Sequence, residues 1–295
     1  MNRRKAVETI AALGGATFGA ANAGAQAPPS VAYSGRLRPG LVAYTYRNEL
    51  QSKKLSYEDV IRMTADMGLE GLDTTVYWFP DTSAQYLASL RRTAYKNGVS
   101  LYSVAVRVRL CQPTADLQEA EVANAKKWVD VAERLGATHV RVFGGAIPKG
   151  ATEEQAIAWA AEVLKRAVEY SGSKGIILGV EDDGGLTTNA GPTIEIVKRA
   201  DSPWAGMNLD CGNFPKDGYA QIAMAIPYAV STHIKAQVST PEGKKEKADF
   251  SRIFGLLARG GYRGFVSLEY EETDAMTAVP GIAAELKRAA AAYRG

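Results

Sequence analysis

Short apolar segments alternate with longer amphipathic segments along the chain from residue 38 onward. The apolar segments have the length of buried strands, and the segments between them repeat apolar residues at helical spacing. The predicted strands cover residues 40–46, 71–79, 99–108, 138–145, 176–182, 206–210, 230–236 and 264–270. The predicted helices cover residues 56–68, 83–98, 116–136, 152–175, 193–200, 218–226, 249–261 and 281–293. Strands and helices that alternate in this way form parallel β-α-β units.

This number of strand–helix units predicts a closed (β/α)8 TIM barrel, a fold of about 250 residues. The alternative is an open, doubly wound sheet, which more often has a glycine-rich phosphate-binding turn after its first strand. The segment that follows the first predicted strand, RNELQSKK, contains no glycine. No linker or change in composition divides residues 36–295, so the sequence predicts a single barrel domain over that range.

The first 25 residues have the pattern of an export signal. Arg3 and Arg4 are paired, a weakly apolar stretch rich in Ala and Gly follows, and Ala23-Gly24-Ala25 matches an A-x-A cleavage site. These features are typical of a twin-arginine (Tat) signal peptide and predict a periplasmic mature protein. The alternative is a disordered or helical N-terminal extension. The apolar stretch is too short and too rich in glycine for a membrane span, so we expect no membrane anchoring.

Composition and charge narrow the classes of partner. The chain has 295 residues, of which 46% are hydrophobic and 23% charged, as in an ordinary globular protein. Its 35 basic and 32 acidic residues give a formal charge of +3 with no long basic run, which argues against a nucleic-acid partner. Cys111 and Cys211 are too few for a disulfide framework, although one bridge could form. The sequence is compatible with a homo-oligomer and leaves the oligomeric state open.

The last four predicted strands each end on a side chain that can bind a metal: Glu181, Asp210, His233 and Glu269. Because the active site of this fold lies where the strands end, four successive strands would bring these side chains to one rim. Three carboxylates and one imidazole suit Mn²⁺ or Mg²⁺ and tolerate Co²⁺ or Zn²⁺. We therefore expect one divalent metal ion, with Mn²⁺ as the first choice. Such an ion would also compensate the buried charge of Asp210.

Each of these four residues taken alone has a simpler explanation. Glu181 and Glu269 lie in acidic segments of the kind that is usually solvated. Asp210 could cap a turn before Gly212, and His233 could be a core histidine. Their common position at the strand ends favours the metal site. The other histidine, His139, lies early in its strand, where a structural role is expected.

Four segments resemble one enzyme family: LGVEDDGGLTTNAG, GMNLDCGNF, HIKA and GYRGFVSLEYE. They are similar to the sugar phosphate isomerase/epimerase family, the xylose-isomerase-like barrels that include ketose 3-epimerases and inosose-processing enzymes. The resemblance covers about residues 40–293. It implies that Glu181, Asp210, His233 and Glu269 bind one divalent metal. It also implies that Glu181 and Glu269 are catalytic and exchange a proton with the substrate.

Three departures from the family pattern leave the substrate open. Glu181-Asp182-Asp183-Gly184 stands where members often have Glu-Asn-His-Gly, so a histidine that could contact substrate is missing. Ala236 replaces an aspartate that often follows the lysine. No arginine follows His233 in the manner of the ketose epimerases. None of these departures removes a predicted metal ligand.

The expected activity is isomerisation or epimerisation of a free or keto sugar through a metal-stabilised enediolate. If a leaving group lies β to the carbanion, the same site would eliminate it, so a lyase or dehydratase acting on a 3-keto-glycoside is the first alternative. A non-catalytic sugar-binding protein is the second. An exported protein meets few phosphorylated metabolites, which favours a free sugar.

Lys235, Tyr77, Trp78 and Arg141 are candidates for binding this carbohydrate. Lys235 lies two residues after His233 and therefore on the same inward face, although it could equally be a rim lysine paired to an acid. Tyr77 and Trp78 could form a wall for a sugar ring or could simply pack. Arg141 is a weaker candidate of the same kind.

Two other enzyme classes fit poorly. Endonuclease IV-type DNA repair enzymes share the barrel, but their trinuclear zinc site needs several more histidines than the two present. A Ser-His-Asp hydrolase lacks support because the chain has no G-x-S-x-G segment.

Overall fold

The structure is a computed structural model that describes residues 36–293. The predicted Tat signal at residues 1–25 and the last two residues of the predicted domain lie outside this range. Within it, parallel strands close into an eight-stranded barrel, which confirms the predicted fold. The barrel strands are β1 (Leu37–Val42), β2 (Gly71–Thr75), β3 (Ser100–Arg109), β4 (His139–Phe143), β5 (Ile177–Glu181), β6 (Ala205–Asp210), β7 (Ala229–Ile234) and β10 (Gly264–Leu268). A separate antiparallel hairpin consists of β8 (Gln237–Ser239) and β9 (Lys245–Lys247).

Each barrel strand pairs with the barrel strand that precedes it along the chain, and β10 closes the ring against β1. One or two helices follow each barrel strand. They are α1 (Arg47–Gln51), α2 (Tyr57–Asp66), α3 (Ala84–Lys96), α4 (Ala115–Leu135), α5 (Glu153–Ser173), α6 (Ala190–Ala200), α7 (Gly218–Ala225), α8 (Phe250–Arg259) and α9 (Ala275–Ala291). No helix in residues 36–293 is long and apolar enough to span a bilayer.

Local sequence signals set several helix boundaries. Ser56 caps α2 and accepts a hydrogen bond from the Asp59 amide, while the Asp59 carboxylate accepts one from the Ser56 amide. This reciprocal pair satisfies two amides that a helix start leaves without partners. Helix α4 ends at Gly136, which takes a left-handed conformation with φ of 83° and so stops the helix.

The core has two layers because alternate strand residues point inward and outward. Outward residues such as Val140 and Leu178 are fully buried beneath the helices. Inside the barrel, Tyr102 and Phe265 stack with ring centroids 3.9 Å apart. His139 is buried near them, and its Nδ1 lies 2.8 Å from the Ser103 hydroxyl oxygen. The interior below the mouth is therefore packed.

The structure differs from the predicted elements mainly at the barrel mouth. The first strand runs from Leu37 to Val42, and residues 43–46 form a 3₁₀ turn before α1. Residues 76–78 likewise leave the ladder after β2. Both segments are rich in aromatic residues, which pack against one another at the mouth of the barrel. Their apolar character therefore reflects this packing and not a position in a strand. Helix α9 begins at Ala275 and contains Pro280, whereas the predicted start lay after that proline.

The hairpin of β8 and β9 had no counterpart in the prediction. Its strands are three residues each, and β9 is exposed, so its hydrophobic pattern is too short to detect. Cys111 and Cys211 are both free and buried, so neither is bridged to the other.

Candidate active site

Three of the four predicted ligands converge at the mouth of the barrel. Glu181 ends β5, Asp210 ends β6, and His233 is the penultimate residue of β7. One ligand atom from each lies within 4.8 Å of the other two, and all three residues are buried. Glu181 Oε1 is 2.9 Å from His233 Nδ1. This Glu-Asp-His cluster could hold a metal ion.

The fourth predicted ligand, Glu269, lies beside this cluster. It follows β10 directly, and its Oε2 atom is 3.7 Å from His233 Nδ1. The Lys235 ammonium is 3.3 Å from both Glu269 Oε2 and Asp210 Oδ2. Glu269 is not one of the three residues whose ligand atoms meet within the shorter range. The four-ligand assignment stays a prediction, with Glu269 at the edge of the cluster.

The cluster contains buried polar atoms that lack a hydrogen bond from the described residues. They are His233 Nδ1 and Asp210 Oδ2, of which Oδ2 has the Lys235 ammonium 3.3 Å away. Glu181 Oε1 is close to Nδ1 but does not lie along the direction of a ring N–H, so the two atoms do not form a hydrogen bond. Leaving such atoms buried and unpaired is costly. A cation placed among these lone pairs would satisfy them, so the residues fit a divalent metal.

Metal binding would change the protonation of the cluster. Burial and the neighbouring Asp210 raise the pKa of Asp182 well above its usual value. Burial lowers the pKa of His233, but the charge of Glu269 and the contacts with Asp73 and Glu181 outweigh burial and raise this pKa well above its usual value. A divalent ion bound to His233 would replace the proton that these carboxylates otherwise favour.

The raised pKa of Asp210 shows that its charged form is destabilised, and an additional cation would stabilise that form. Burial raises this pKa to about 8, against the opposing effect of Lys235. Removing a carboxylate from water disfavours its charged form, and nearby positive charge restores it. A divalent metal would therefore displace a proton from Asp210.

Asp73 orients the histidine of the cluster, and the sequence reasoning missed it. Its Oδ2 atom lies 3.3 Å from His233 Nε2, and both side chains are fully buried. Burial opposes ionisation of Asp73, but hydrogen bonds with His233 and Ser103 and the charge of His233 hold its pKa below the usual value. Metal-binding histidines commonly donate their second ring N–H to a carboxylate in this way. The available signal was a charged residue inside the apolar strand GLDTTV.

Two further unpredicted residues hold the carboxylate ligands in place. Asn208 Nδ2 donates a hydrogen bond of 3.0 Å to Glu181 Oε1. Asp182 Oδ1 accepts a hydrogen bond of 2.8 Å from the Asp210 amide, and Asp210 Oδ1 accepts one of 2.8 Å from the Gly212 amide. The simpler explanation for Glu181, a solvated acidic segment, includes Asp182. Asp182 is instead buried, and its carboxyl group ties the end of β5 to β6.

Arg141 is committed to protein partners. Its Nε atom is 3.4 Å from Glu181 Oε2, and it donates hydrogen bonds to the Val106 carbonyl and the Tyr77 hydroxyl. Its guanidinium also lies 4.0 Å from the centroid of the Phe143 ring. Arg141 thus sets the position and charge of Glu181, and direct contact with substrate stays a prediction.

Two clefts open at the mouth of the barrel. The first, of about 660 Å³, is walled by Tyr44, Tyr77 and Trp78, and the Tyr44 and Trp78 rings stack at a centroid distance of 5.9 Å. The second, of about 380 Å³, is lined by Lys235, Glu269 and the hairpin. Lys235 also contacts Glu271 at 2.8 Å. Of the predicted sugar-binding residues, Tyr77 and Trp78 line the first cleft and Lys235 lines the second, whereas Arg141 is buried and lines neither.

The fold and this cluster together define a (β/α)8 barrel with a candidate metal centre at its mouth. Residues 61–292 match the family model described as xylose isomerase-like TIM barrel. The chain therefore belongs to the xylose isomerase-like TIM barrel family, as the sequence resemblance predicted. No curated protein sequence matches the chain.

Several solved structures share the fold at low sequence identity. D-psicose 3-epimerase from Clostridium cellulolyticum H10, solved with D-tagatose, has 15% identity and a TM-score of 0.68 over 87% of this chain and 98% of that one. The 3-keto-D-glucoside 4-epimerase of E. coli has 11% identity and a TM-score of 0.68 over 86% and 100% of the two chains. The probable 3-DHS dehydratase of Bacillus anthracis has 14% identity and a TM-score of 0.63 over 85% and 97%. The structural neighbours thus include sugar epimerases and a dehydratase.

Proposed function

We propose that the protein is a divalent-metal-dependent isomerase or epimerase that acts on a free or keto sugar by proton transfer. The observation that carries the proposal is the convergence of buried Glu181, Asp210 and His233, with Glu269 beside them, at the carboxyl ends of neighbouring strands. Active sites of (β/α)8 barrels lie at this face. Mn²⁺ is the metal we would supply first, since carboxylates dominate the donor set.

A divalent ion held by these residues would draw electrons from the carbonyl and neighbouring hydroxyl of a keto sugar and so acidify the adjacent C–H. The protein must then remove and return a proton. Glu181 and Glu269 are both within 3.7 Å of His233 Nδ1, so the two carboxylates flank one small volume. Paired carboxylates of this kind can serve as base and acid on either side of a substrate carbon.

Glu269 is the better candidate for the base. Burial opposes its ionisation, but Lys235, His233 and Arg141 lower its pKa to about 2, so it is ionised at neutral pH and is a weak base in the free protein. Its access to substrate therefore decides the assignment. It also lines the second cleft, where a substrate could reach it. Glu181 is held by Asn208 and Arg141 and has less freedom to move toward substrate.

The substrate class follows from the clefts and from the comparisons. Aromatic side chains such as Tyr77 and Trp78 present flat apolar faces with polar edges, which suits a sugar ring. Two of the structural neighbours are named as sugar epimerases. The predicted export signal, together with the periplasmic location that it implies, supports an unphosphorylated sugar.

Elimination is the second candidate reaction. Lys235 places an ammonium 3.3 Å from Glu269, so a general acid stands beside the candidate base. After proton removal at one carbon, such an acid could protonate a leaving group at the next. This reaction would yield an unsaturated product, whereas isomerisation and epimerisation conserve the formula of the sugar.

The test combines metal titration with proton exchange. Chelated protein would be titrated with Mn²⁺, and the metal-bound protein incubated in D₂O with a panel of free and 3-keto sugars while NMR follows loss of the C–H signal. We expect exchange in the wild type and none with Glu269→Gln. Glu162→Gln, which changes an exposed acid of α5 outside both clefts, is the control.

Two outcomes would contradict the proposal. Exchange at the wild-type rate in folded Glu269→Gln would remove Glu269 from the proton transfer. Sugar binding without exchange across the panel would favour the non-catalytic alternative. A product with a new C=C bond would select elimination.

A further inference from the structure

Strand β3 carries two arginines into the larger cleft. Ser103 and Ala105 pair with His139 and Arg141, and their side chains share the inward face of the barrel. Arg107 and Arg109 follow at alternate positions and line the cleft. The pairing between β3 and β4 is irregular between Ala105 and Arg109. Such irregularities commonly re-aim side chains next to active sites.

These two guanidinium groups have no anionic partner in residues 36–293. Neither side chain forms an ion pair or hydrogen bond with a described residue, and the Arg107 guanidinium lies over the Tyr77 ring, 4.0 Å from its centroid. Arg47, in the same cleft, is different because it donates hydrogen bonds to the carbonyls of Tyr270 and Glu271. Arg107 and Arg109 are thus the arginines of this cleft that remain available for a ligand.

The rest of the cleft suits a sugar with one charged end. Its described lining contains one carboxylate, Asp183, against the three arginines. Stacking on Tyr77 restricts the position of the Arg107 guanidinium, which lowers the entropy lost on binding. The wall formed by Tyr44 and Trp78 supplies an apolar face beside these charges.

The cleft also adjoins the candidate metal centre. The Tyr77 hydroxyl accepts a hydrogen bond of 3.1 Å from Arg141 Nη2, and Arg141 Nε is 3.4 Å from Glu181 Oε2. One aromatic ring and one guanidinium therefore separate Arg107 from a predicted metal ligand. Asp183 lines the cleft two residues after Glu181, so the cleft extends to the end of β5.

We propose that the substrate is a sugar acid whose carboxylate is bound by Arg107 and Arg109. The inference rests on the proposed function, which places the reacting carbon near Glu181. Guanidinium groups bind carboxylates through paired, charge-assisted hydrogen bonds. A phosphate ester is disfavoured because phosphate sites of this fold more often lie in the loops after the seventh and eighth strands, whereas these arginines lie on the third.

The test compares three probes that differ mainly in charge: D-glucuronate, D-glucose 6-phosphate and D-glucose. Binding to the full chain would be measured by ligand-observed NMR, with Mn²⁺ and after chelation, for the wild type and for Arg107→Gln/Arg109→Gln. We expect the wild type to prefer glucuronate over glucose by about tenfold, the scale of a hydrogen bond to a charged group. The double variant should lose this preference and bind glucose unchanged.

Two further variants separate charge from geometry. Arg107→Lys/Arg109→Lys keeps both charges but loses the planar fork, so it should retain only part of the preference. Arg92→Gln removes an exposed arginine of α3 and should behave as the wild type.

Equal binding of glucuronate and glucose, binding of neither, or tighter binding of the phosphate ester would overturn the proposal. Its failure is distinguishable from failure of the proposed function. If neutral sugars exchange their protons and the arginine variants are unaffected, the reaction stands and the sugar-acid assignment falls. If glucuronate binds through the arginines but nothing exchanges, the assignment of substrate class stands and the reaction falls.

Discussion

Replacing Asp73 by asparagine tests whether the histidine of the cluster is held ready for a metal. Asparagine has nearly the same volume and can still accept a hydrogen bond from His233 Nε2, so the change removes charge and little else. Asp73 and His233 are both fully buried, so water cannot take over the lost interaction. The predicted effect is a weaker metal site in a protein that still folds.

The size of the effect follows from the geometry of the contact. Loss of an outer carboxylate behind a metal-binding histidine usually weakens metal binding by about 10- to 100-fold. The distance of 3.3 Å is longer than that of a strong charge-assisted hydrogen bond, which is about 2.8 Å. We therefore expect the lower end of the range, about tenfold, or about 1.4 kcal/mol.

The measurement is a calorimetric titration of chelated protein with Mn²⁺, accompanied by circular dichroism to verify folding. Thr74→Val is the matched control. Thr74 is the next residue of β2, is buried, and has a hydroxyl with no partner among the described residues, so its removal should leave metal affinity unchanged. A folded Asp73→Asn protein that binds Mn²⁺ within twofold of the wild type would refute the reasoning.

Two further predictions concern the barrel interior. Burial lowers the pKa of His139 from 6.5 to about 4, so the unfolded chain binds this proton more readily and stability falls as the pH drops from 6.5 toward 4. The free energy of unfolding should fall by about 3 kcal/mol at pH 4. His139→Asn can keep the Ser103 contact but does not titrate, so its stability should fall less steeply with pH in acid denaturation monitored by fluorescence. Gly71→Ala would place a methyl group 2.2 Å from the Phe265 ring and should lower the free energy of unfolding in urea by about 1–3 kcal/mol. Unchanged acid sensitivity or unchanged urea stability, respectively, would contradict these two predictions.

The sequence predicted the barrel because its strands are buried on both faces and its helices on one. This contrast produces two different periodicities in the amino-acid pattern. The prediction from periodicity fails at the mouth, where residues 43–46 and 76–78 are apolar but do not form strands. Their aromatic side chains pack on one another, which a periodicity argument cannot separate from strand burial.

The candidate ligands were predictable because each lies at the same place in its strand–helix unit. Asp73, Asn208 and Asp182 were not, because their importance depends on which residues of a strand face inward. The pairing of β2 with β3 is irregular at this point, because Leu72 and Asp73 pair with Leu101 and Ser103 and leave Tyr102 as an extra residue of β3. The partner of His233 also lies 160 residues away in the chain, so no local pattern connects the two.

The contact between His233 and Asp73 has a consequence for how the protein acquires its metal. Glu181, Asp210 and His233 come from β5, β6 and β7, which are consecutive, so half of the chain can assemble these three side chains. Asp73 belongs to β2, in the other half, and reaches His233 only when the ring is complete. An ion that binds more tightly once His233 is fixed favours the complete ring over any partly folded form. Metal binding would therefore stabilise the closed barrel relative to partly folded forms. A permuted or divided barrel should bind the ion more weakly, although it retains all three converging ligands.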